Sequence, residues 1–437
     1  MSTLSAVPLA APAVVQTRQP RHSALYLLVL AGVFLVVNAL QVTLVTGNPR
    51  VWLGIATWIA CTGIGWILTR RLLAGTDRLI FATCMVMSGW GLLMIYRLLP
   101  NFGDRQAVWL VVGTVAMLTA LRFPDLLGRM RRYRYSILLG GTLLLLATIL
   151  FGTNPSGFAS APALWLGTGS VFFQPSELLK IVLVVFLASY LAEQYPVLRS
   201  AALFERKRRL FLAPRIAGPV VLMWGICVVI LVWQRDLGTA ILFFALFVCL
   251  LYVASGSNWV LVAAAGLILA AGAVAYFLFD VVQLRVDIWV NPWIDPDNRA
   301  YQIVQSLMTF SAGGVFGQGI GLGYPSYVPV IHSDFMFAAI AEEFGFLGVI
   351  TVIALLMVLV SRSFRIAALQ QGKPYQTLLA VGFCSLIAVQ SLMIMGGVVK
   401  IIPLTGVTLP FISYGGSSLV VSFFMVGILL RLSAVKG

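Results

Sequence analysis

The stretch FGFLGVITVIALLMVLVSRSFR, Phe344 to Arg365, decides the fold. From Phe344 to Ser361 it carries no charged residue, and it closes on Arg362 and Arg365. A helix crossing a hydrocarbon core needs ~20 mostly apolar residues, and an arginine-rich exit marks its cytoplasmic side. Comparable runs recur from Ala24 to Arg431, at roughly 24–46, 51–69, 78–99, 106–121, 135–152, 178–192, 216–233, 238–254, 258–279, 335–361, 376–398 and 414–432. The fold class expected is therefore all-α, a polytopic membrane protein of about twelve transmembrane helices. Composition agrees: of 437 residues, 60% are hydrophobic and only 10% charged, too little charge for a soluble chain.

Charge sets the expected orientation. With the N-terminus inside, the even-numbered connections hold Arg70, Arg71 and Arg78; Arg122, Arg129, Arg131, Arg132 and Arg134; Arg199, Arg206, Lys207, Arg208, Arg209 and Arg215; and Arg362, Arg365 and Lys373. The opposite connections are poor in base, and 153–177 has none. Both termini are then cytoplasmic. The net charge of +15 is spread over these short clusters, not gathered on one basic domain, so no nucleic-acid partner is expected. Cys61, Cys84, Cys227, Cys249 and Cys384 all lie in apolar runs and form no CxxC pair, which argues against disulfides and zinc. Residues 1–23 are expected to be a disordered tail, followed by an uncleaved anchor. A large extracytoplasmic loop is expected at 280–334, built of short interfacial helices or a re-entrant lid.

Acidic residues gather on that outer side: Glu177, Asp236, Asp280, Asp287, Asp295, Asp297 and Asp334, with Glu342 and Glu343 just inside a span. In FQPSELLKI, Glu177 and Lys180 stand at i,i+3 on one helical face, with Pro175 near N1 and Ser176 near the cap. They form either a structural ion pair or, through Lys180, a phosphate contact. Asp295, between Trp293 and Pro296, is either a general base or the cap of a helix beginning near Pro296. The glycines of SAGGVFGQGIGLGYP lack a βαβ context and suit tight turns beside a ligand or a close helix. His332 has no second histidine at zinc spacing and is read as structural. Pro403, Gly406, Pro410, Gly415 and Gly416 break the helical pattern after Lys400, which either meets a phosphate or snorkels to the interface.

FQPSELLKI, WQRDLGTA, NPWIDP…YQIVQS, SDFMFAAIAEE and PLTGVTLPFISYGGSS, in this order, resemble the shape, elongation, division and sporulation (SEDS) family of FtsW, RodA and SpoVE. The resemblance covers roughly residues 77–432 and implies a ten-span core at 77–437, with 24–76 as two added spans. It implies a peptidoglycan glycosyltransferase that polymerises lipid II at the outer face of the bacterial cytoplasmic membrane. By that resemblance Asp295 is the essential acidic residue, although Asn298 and Ala300 replace the family's glycines and leave Asp297 as a fallback. Candidate substrate contacts within or beside these motifs are Trp165, Glu177, Lys180, Arg235, Arg285, Gln302, Gln305, Ser306, Asp334, Lys400 and Ser413. Arg235 stands where the family usually has proline, as an extra phosphate contact or in a looser turn. NPW and GGSSL lean toward the FtsW branch. The sequence identifies no cofactor outright; carboxylates could hold a divalent cation, Mg or Mn. The resemblance further implies a class B penicillin-binding protein, a membrane transpeptidase, as partner. The competing function is a lipid II flippase, since intramembrane charge and broken helices suit a transporter equally.

Overall fold

The computed structural model describes residues 22–154, 163–169, 171–203 and 236–434, with isolated positions between 218 and 234. Nearly all of the expected tail, most of the span at 216–233, and the residues Arg235 and Cys227 lie outside the described residues. The chain is an integral membrane protein.

Helices α1 (Ser23–Thr46), α2 (Val51–Leu72), α3 (Arg78–Leu98), α4 (Pro100–Arg122), α5 (Leu126–Arg132) and α6 (Arg134–Phe151) come first. A two-stranded antiparallel hairpin follows, β1 (Leu166–Thr168) with β2 (Val171–Phe173), which the all-α reading did not foresee. Then come α7 (Pro175–Leu203), α8 (Leu237–Ser255), α9 (Trp259–Leu278), α10 (Asp280–Val290), α11 (Tyr301–Gly313), α12 (Met336–Leu369), α13 (Pro374–Val398) and α14 (Gly416–Ser433). Ten described helices are long and apolar enough to cross a membrane, and α4 with α5 makes an eleventh, bent by 88° between them.

Helix starts follow local chemistry. Pro100, Pro175 and Pro374 open α4, α7 and α13, where their missing N–H costs nothing. Asp77 caps α3 and Asp236 caps α8, their carboxylates accepting from Leu79 N at 3.1 Å and Thr239 N at 2.9 Å. Ser176 does not cap α7: its hydroxyl is buried without a hydrogen-bond partner, and Gln174 precedes the first turn instead. Helices α3, α7, α13 and α14 are the most enclosed, while α1, α6 and α9 turn most of their surface outward. A bundle in lipid needs only this packing contrast, because the outer surface may stay apolar.

The chain between α13 and α14, residues 399–415, is not helical, and it is threaded between α3 and α8. Gly91 and Gly238 admit it: a Cβ at either would stand 2.3 Å from a carbonyl oxygen, of Ile412 and Thr405 respectively. Irregular backbone at this depth must find partners in protein. Arg285 donates to Leu404 O at 3.0 Å, Gln390 Nε2 to Thr408 O at 2.7 Å, and Tyr414 N to His332 O at 2.8 Å.

Residues 280–334 form α10, α11 and two 3-10 turns (Pro292–Ile294 and Pro325–Tyr327), as short helices were expected to. The glycine-rich part folds onto α12, where the helix breaks at Gly345 (φ 65°, ψ −162°). Freed groups are exchanged there: Gln318 N and Gly319 N donate to Glu342 O and Glu343 O, and Phe346 N to Gly314 O. These glycines serve a close helix, one of the two roles read from the sequence.

Candidate active site

Helix direction brings the polar residues to one end of the bundle. Helices α7, α8, α12 and the broken segment all present Glu177, Asp236, Asp334 and Ser413 opposite the end that holds Arg70, Arg122 and Arg365. Glu177, Lys180 and Ser413 are buried.

Lys180 is 1% exposed, and its ammonium donates to Glu177 Oε1 at 2.7 Å and to Gln390 Oε1 at 2.9 Å. An ammonium has three donors, so two are spent inside the protein. The structural ion pair accounts for this geometry, with Gln390 as a partner that sequence spacing could not show.

Beside it stands a second charged group. Asp236 is held by Thr239, and burial pushes its carboxyl above the usual carboxylate range, against the opposing pull of Thr239, Lys180 and Arg285. Asp334 rises to about 6 through burial and the neighbouring Asp236, while Ser333 and Arg285 work in the other direction. Burial lowers the Arg285 guanidinium, and Asp236 and Asp334 offset that. Arg285 is thus a cation within electrostatic reach of two carboxylates, while its Nη1 donates to Leu404 O. A Cβ on Gly406 would be in ordinary van der Waals contact with both Arg285 Nη2 and Asp334 Oδ2, 3.9 Å from each, and the φ of 72° is what favours glycine there. Asp236 was noticed in the sequence as acidic but not chosen as a site residue; its place in WQRDLGTA was the available signal.

Asp295 is half-buried between exposed Trp293 and exposed Asp297. Its Oδ1 accepts from Asn298 Nδ2 at 2.9 Å and its Oδ2 from Arg299 N at 3.4 Å. The helix expected near Pro296 begins only at Tyr301; Asp295 instead closes a turn, its carbonyl accepting from Ala300 N at 3.1 Å. Asn298, in a family glycine position, is the residue that holds the carboxylate.

Other candidates divide. Ser306 is buried and donates to Val398 O at 3.2 Å, Gln305 is half-buried and Gln302 is exposed. The Ser413 hydroxyl accepts from Leu409 N at 3.1 Å, a turn within the broken segment. Lys400 has φ 62° and donates to Val290 O at 3.4 Å, while its carbonyl accepts from Trp289 Nε1 at 3.2 Å, tying the end of α13 to α10. Trp165 pairs with Thr153 in an isolated bridge ahead of β1. His332 stacks on Phe102, centroids 4.9 Å apart and planes 10° apart, as a structural residue would. Among the described residues no group of three or more His, Cys, Asp or Glu converges as metal ligands.

A family profile described as cell cycle protein, covering FtsW, RodA and SpoVE, matches residues 77–436. The chain belongs to this family. It is 35% identical over 387 residues to the peptidoglycan glycosyltransferase RodA of Mycobacterium tuberculosis, covering 85% of this chain and 81% of that one. It is 33% identical to the probable peptidoglycan glycosyltransferase FtsW of Geobacter metallireducens, covering 83% and 96%. The two branches match almost equally, so the FtsW lean of NPW and GGSSL is not sharpened. In fold, the chain is similar to a chain of a peptidoglycan synthase complex whose structure addresses the coordination of polymerisation and crosslinking. That likeness has a TM-score of 0.69 at 24% identity, over 82% of this chain and 98% of that one. Thermus thermophilus RodA follows with a TM-score of 0.57 at 23% identity, over 82% and 97%.

Proposed function

We propose that this chain polymerises lipid II at the outer face of the bacterial cytoplasmic membrane, with both termini in the cytoplasm and Asp295 as proton acceptor. It is a membrane-embedded peptidoglycan glycosyltransferase. The observation that supports the finer reading is the gathering of Asp236, Arg285 and Asp334 at the end of the bundle opposite its arginine-rich connections, the end whose large loop carries Asp295. A substrate whose sugars lie in water and whose prenyl tail lies in lipid must be handled at such a boundary.

In this mechanism Asp295 takes the proton from the acceptor's GlcNAc 4-hydroxyl. The freed oxygen attacks C1 of the donor MurNAc, and undecaprenyl pyrophosphate leaves from that carbon. General-base assistance contributes typically ~10²–10⁴-fold. Cations stabilise the departing pyrophosphate. Arg285, packed beside Gly406 and near Asp236 and Asp334, is the first candidate, with Lys400, Arg299 and Arg235 as further ones. Lys180 acts through Glu177 and Gln390, as a strut for the wall of the site. No step here is routed through Mg or Mn; activity before and after chelation tests whether a divalent cation takes part. A class B penicillin-binding protein would supply crosslinking.

The test is product chemistry. Purified chain, alone and with its transpeptidase partner, is given labelled lipid II, and glycan polymer is sought. Polymer from the native chain and none from a folded Asp295→Asn variant supports the reading. Glycan synthesis by that variant would refute the assignment of Asp295, and movement of lipid II between leaflets without polymer would support a flippase.

A further inference from the structure

At the opposite end of the bundle the chain builds a basic surface that glycosyl transfer does not use. Between Arg122 and Tyr135 stand Arg122, Arg129, Arg131, Arg132 and Arg134 against one carboxylate, Asp125. The 88° bend lays α5 across the axis of α4, which is the attitude of a helix lying along a membrane surface. Its two faces differ. Leu126 and Leu127 are half-buried and Met130 is buried against the core, while Arg129 and Arg132, at i,i+3, are exposed.

The five arginines do not have equal tasks. Arg134 is paired with Glu193, and the Arg131 guanidinium lies 5.5 Å from the ring centre of Tyr375 at the start of α13. Arg431 of α14 donates to Ala120 O and Leu121 O at 3.3 and 3.1 Å, serving the last carbonyls of α4. Arg122, Arg129 and Arg132 are left pointing outward around the bend, Arg132 lying 5.6 Å from the ring centre of Tyr133. Phe123, Tyr133 and Tyr135 flank them, more than half exposed at 52%, 52% and 57%. Exposed aromatics at a bilayer boundary anchor at headgroup depth, and arginines beside them meet phosphate at the same depth.

We propose that Arg122, Arg129 and Arg132 form a site for the headgroup of an anionic phospholipid, whose acyl chains lie along α4 and α6. Charge complementarity selects the occupant: the cluster is cationic, it is framed by interfacial aromatics, and α6 offers apolar, outward-facing Leu139, Leu143 and Leu146 for the chains.

The test uses the full chain in phosphatidylcholine vesicles holding a trace of spin-labelled phosphatidylglycerol or spin-labelled phosphatidylcholine. The motionally restricted fraction of each label is compared. The native chain should favour phosphatidylglycerol by about threefold or more. The R122Q/R129Q/R132Q variant should lose that preference, and R70Q/R71Q, at the same end but on α2, should keep it. Equal restriction of both labels by the native chain would overturn the proposal whether or not the variant folds. So would an equal loss in R70Q/R71Q, which would mean a diffuse basic belt, or full displacement of the label by inorganic phosphate, which would mean a site for the free ion.

Discussion

Arg97 Nε stands 3.0 Å from Glu343 Oε1, joining the outer end of α3 to the broken part of α12, with the Glu343 side chain wholly enclosed. The same arginine donates to Gly323 O at 3.0 Å, and Glu343 accepts from Gly321 N at 3.2 Å. The pair therefore pins the glycine-rich loop. Removing one partner of a buried pair strands the other charge and costs about 3–5 kcal/mol. Arg97→Leu should lower the thermal unfolding midpoint in detergent sharply, and Glu343→Gln, which keeps shape and hydrogen bonding, by much less. Equal midpoints for Arg97→Leu and the native chain would show that the pair carries no stability.

Lys180 offers a cleaner separation of structure from chemistry. Lys180→Met leaves Glu177 buried without its cation and should destabilise by about 3–5 kcal/mol, whereas Glu177→Gln with Lys180→Met removes both charges and should recover most of that loss. If the pair is a strut, the folded double variant polymerises lipid II at a rate close to native. If Lys180 touches substrate phosphate, stability returns and synthesis does not.

Asp334 gives a pH dependence with a definite sign. Its carboxyl rises from 3.8 to about 6 in the folded protein. Below the lower value the group is protonated folded or unfolded; between the two, the folded state holds the extra proton. Stability contributed by this group therefore falls as pH rises through that window, and is fully lost above it. Asp334→Asn should flatten the curve of unfolding midpoint against pH across that window, while Arg285, Asp236 and Ser333 still face the position. An unchanged slope would place the titration elsewhere; Asp236, shifted the same way, is the next group to test.

Much of the fold is legible because a span announces itself by what it lacks. Charge is absent from Phe344 to Ser361, and helix α12 runs through that stretch. What was not legible depends on contacts distant in sequence or on short-range competition. Gln390 meets Lys180 from 210 residues away, and Arg97 meets Glu343 from another helix, so no spacing rule reveals either. Helix α5 is too short to show a period, and the β1–β2 hairpin lies where only a loop was read. Near Asp295 the Asp-Pro step suggested a helix start. Asn298 and the Arg299 amide capture the carboxylate first and delay the helix to Tyr301. The candidate site residues other than Arg235 have a place in the structure, and their roles are proposals from that placement.

The two helices that precede the matched family region brace the outer loop. Trp58 of α2 is 3% exposed and donates to Met85 O at 2.7 Å, and Phe34 of α1 packs on Trp90 and Phe344 with centroids 5.3 and 5.6 Å away. At its far end α1 sets Gln41 and Val45 against Gly319 and Gly321 of the loop that Arg97 and Glu343 hold. Truncating a buried aromatic costs about 3–5 kcal/mol, part of it a cavity that neighbours cannot fill. Trp58→Ala should lower the unfolding midpoint, and Trp58→Phe, which fills most of the space but removes one of the donors to Met85 O, should fall between. A chain beginning at Arg78 should still insert, because lipid replaces apolar neighbours at little cost. Its loop from Gly313 to Gly323 should then be cut several-fold faster by protease than in the full chain. Equal cutting rates would mean that the two helices do not support the loop, and that Arg97 and Glu343 hold it unaided.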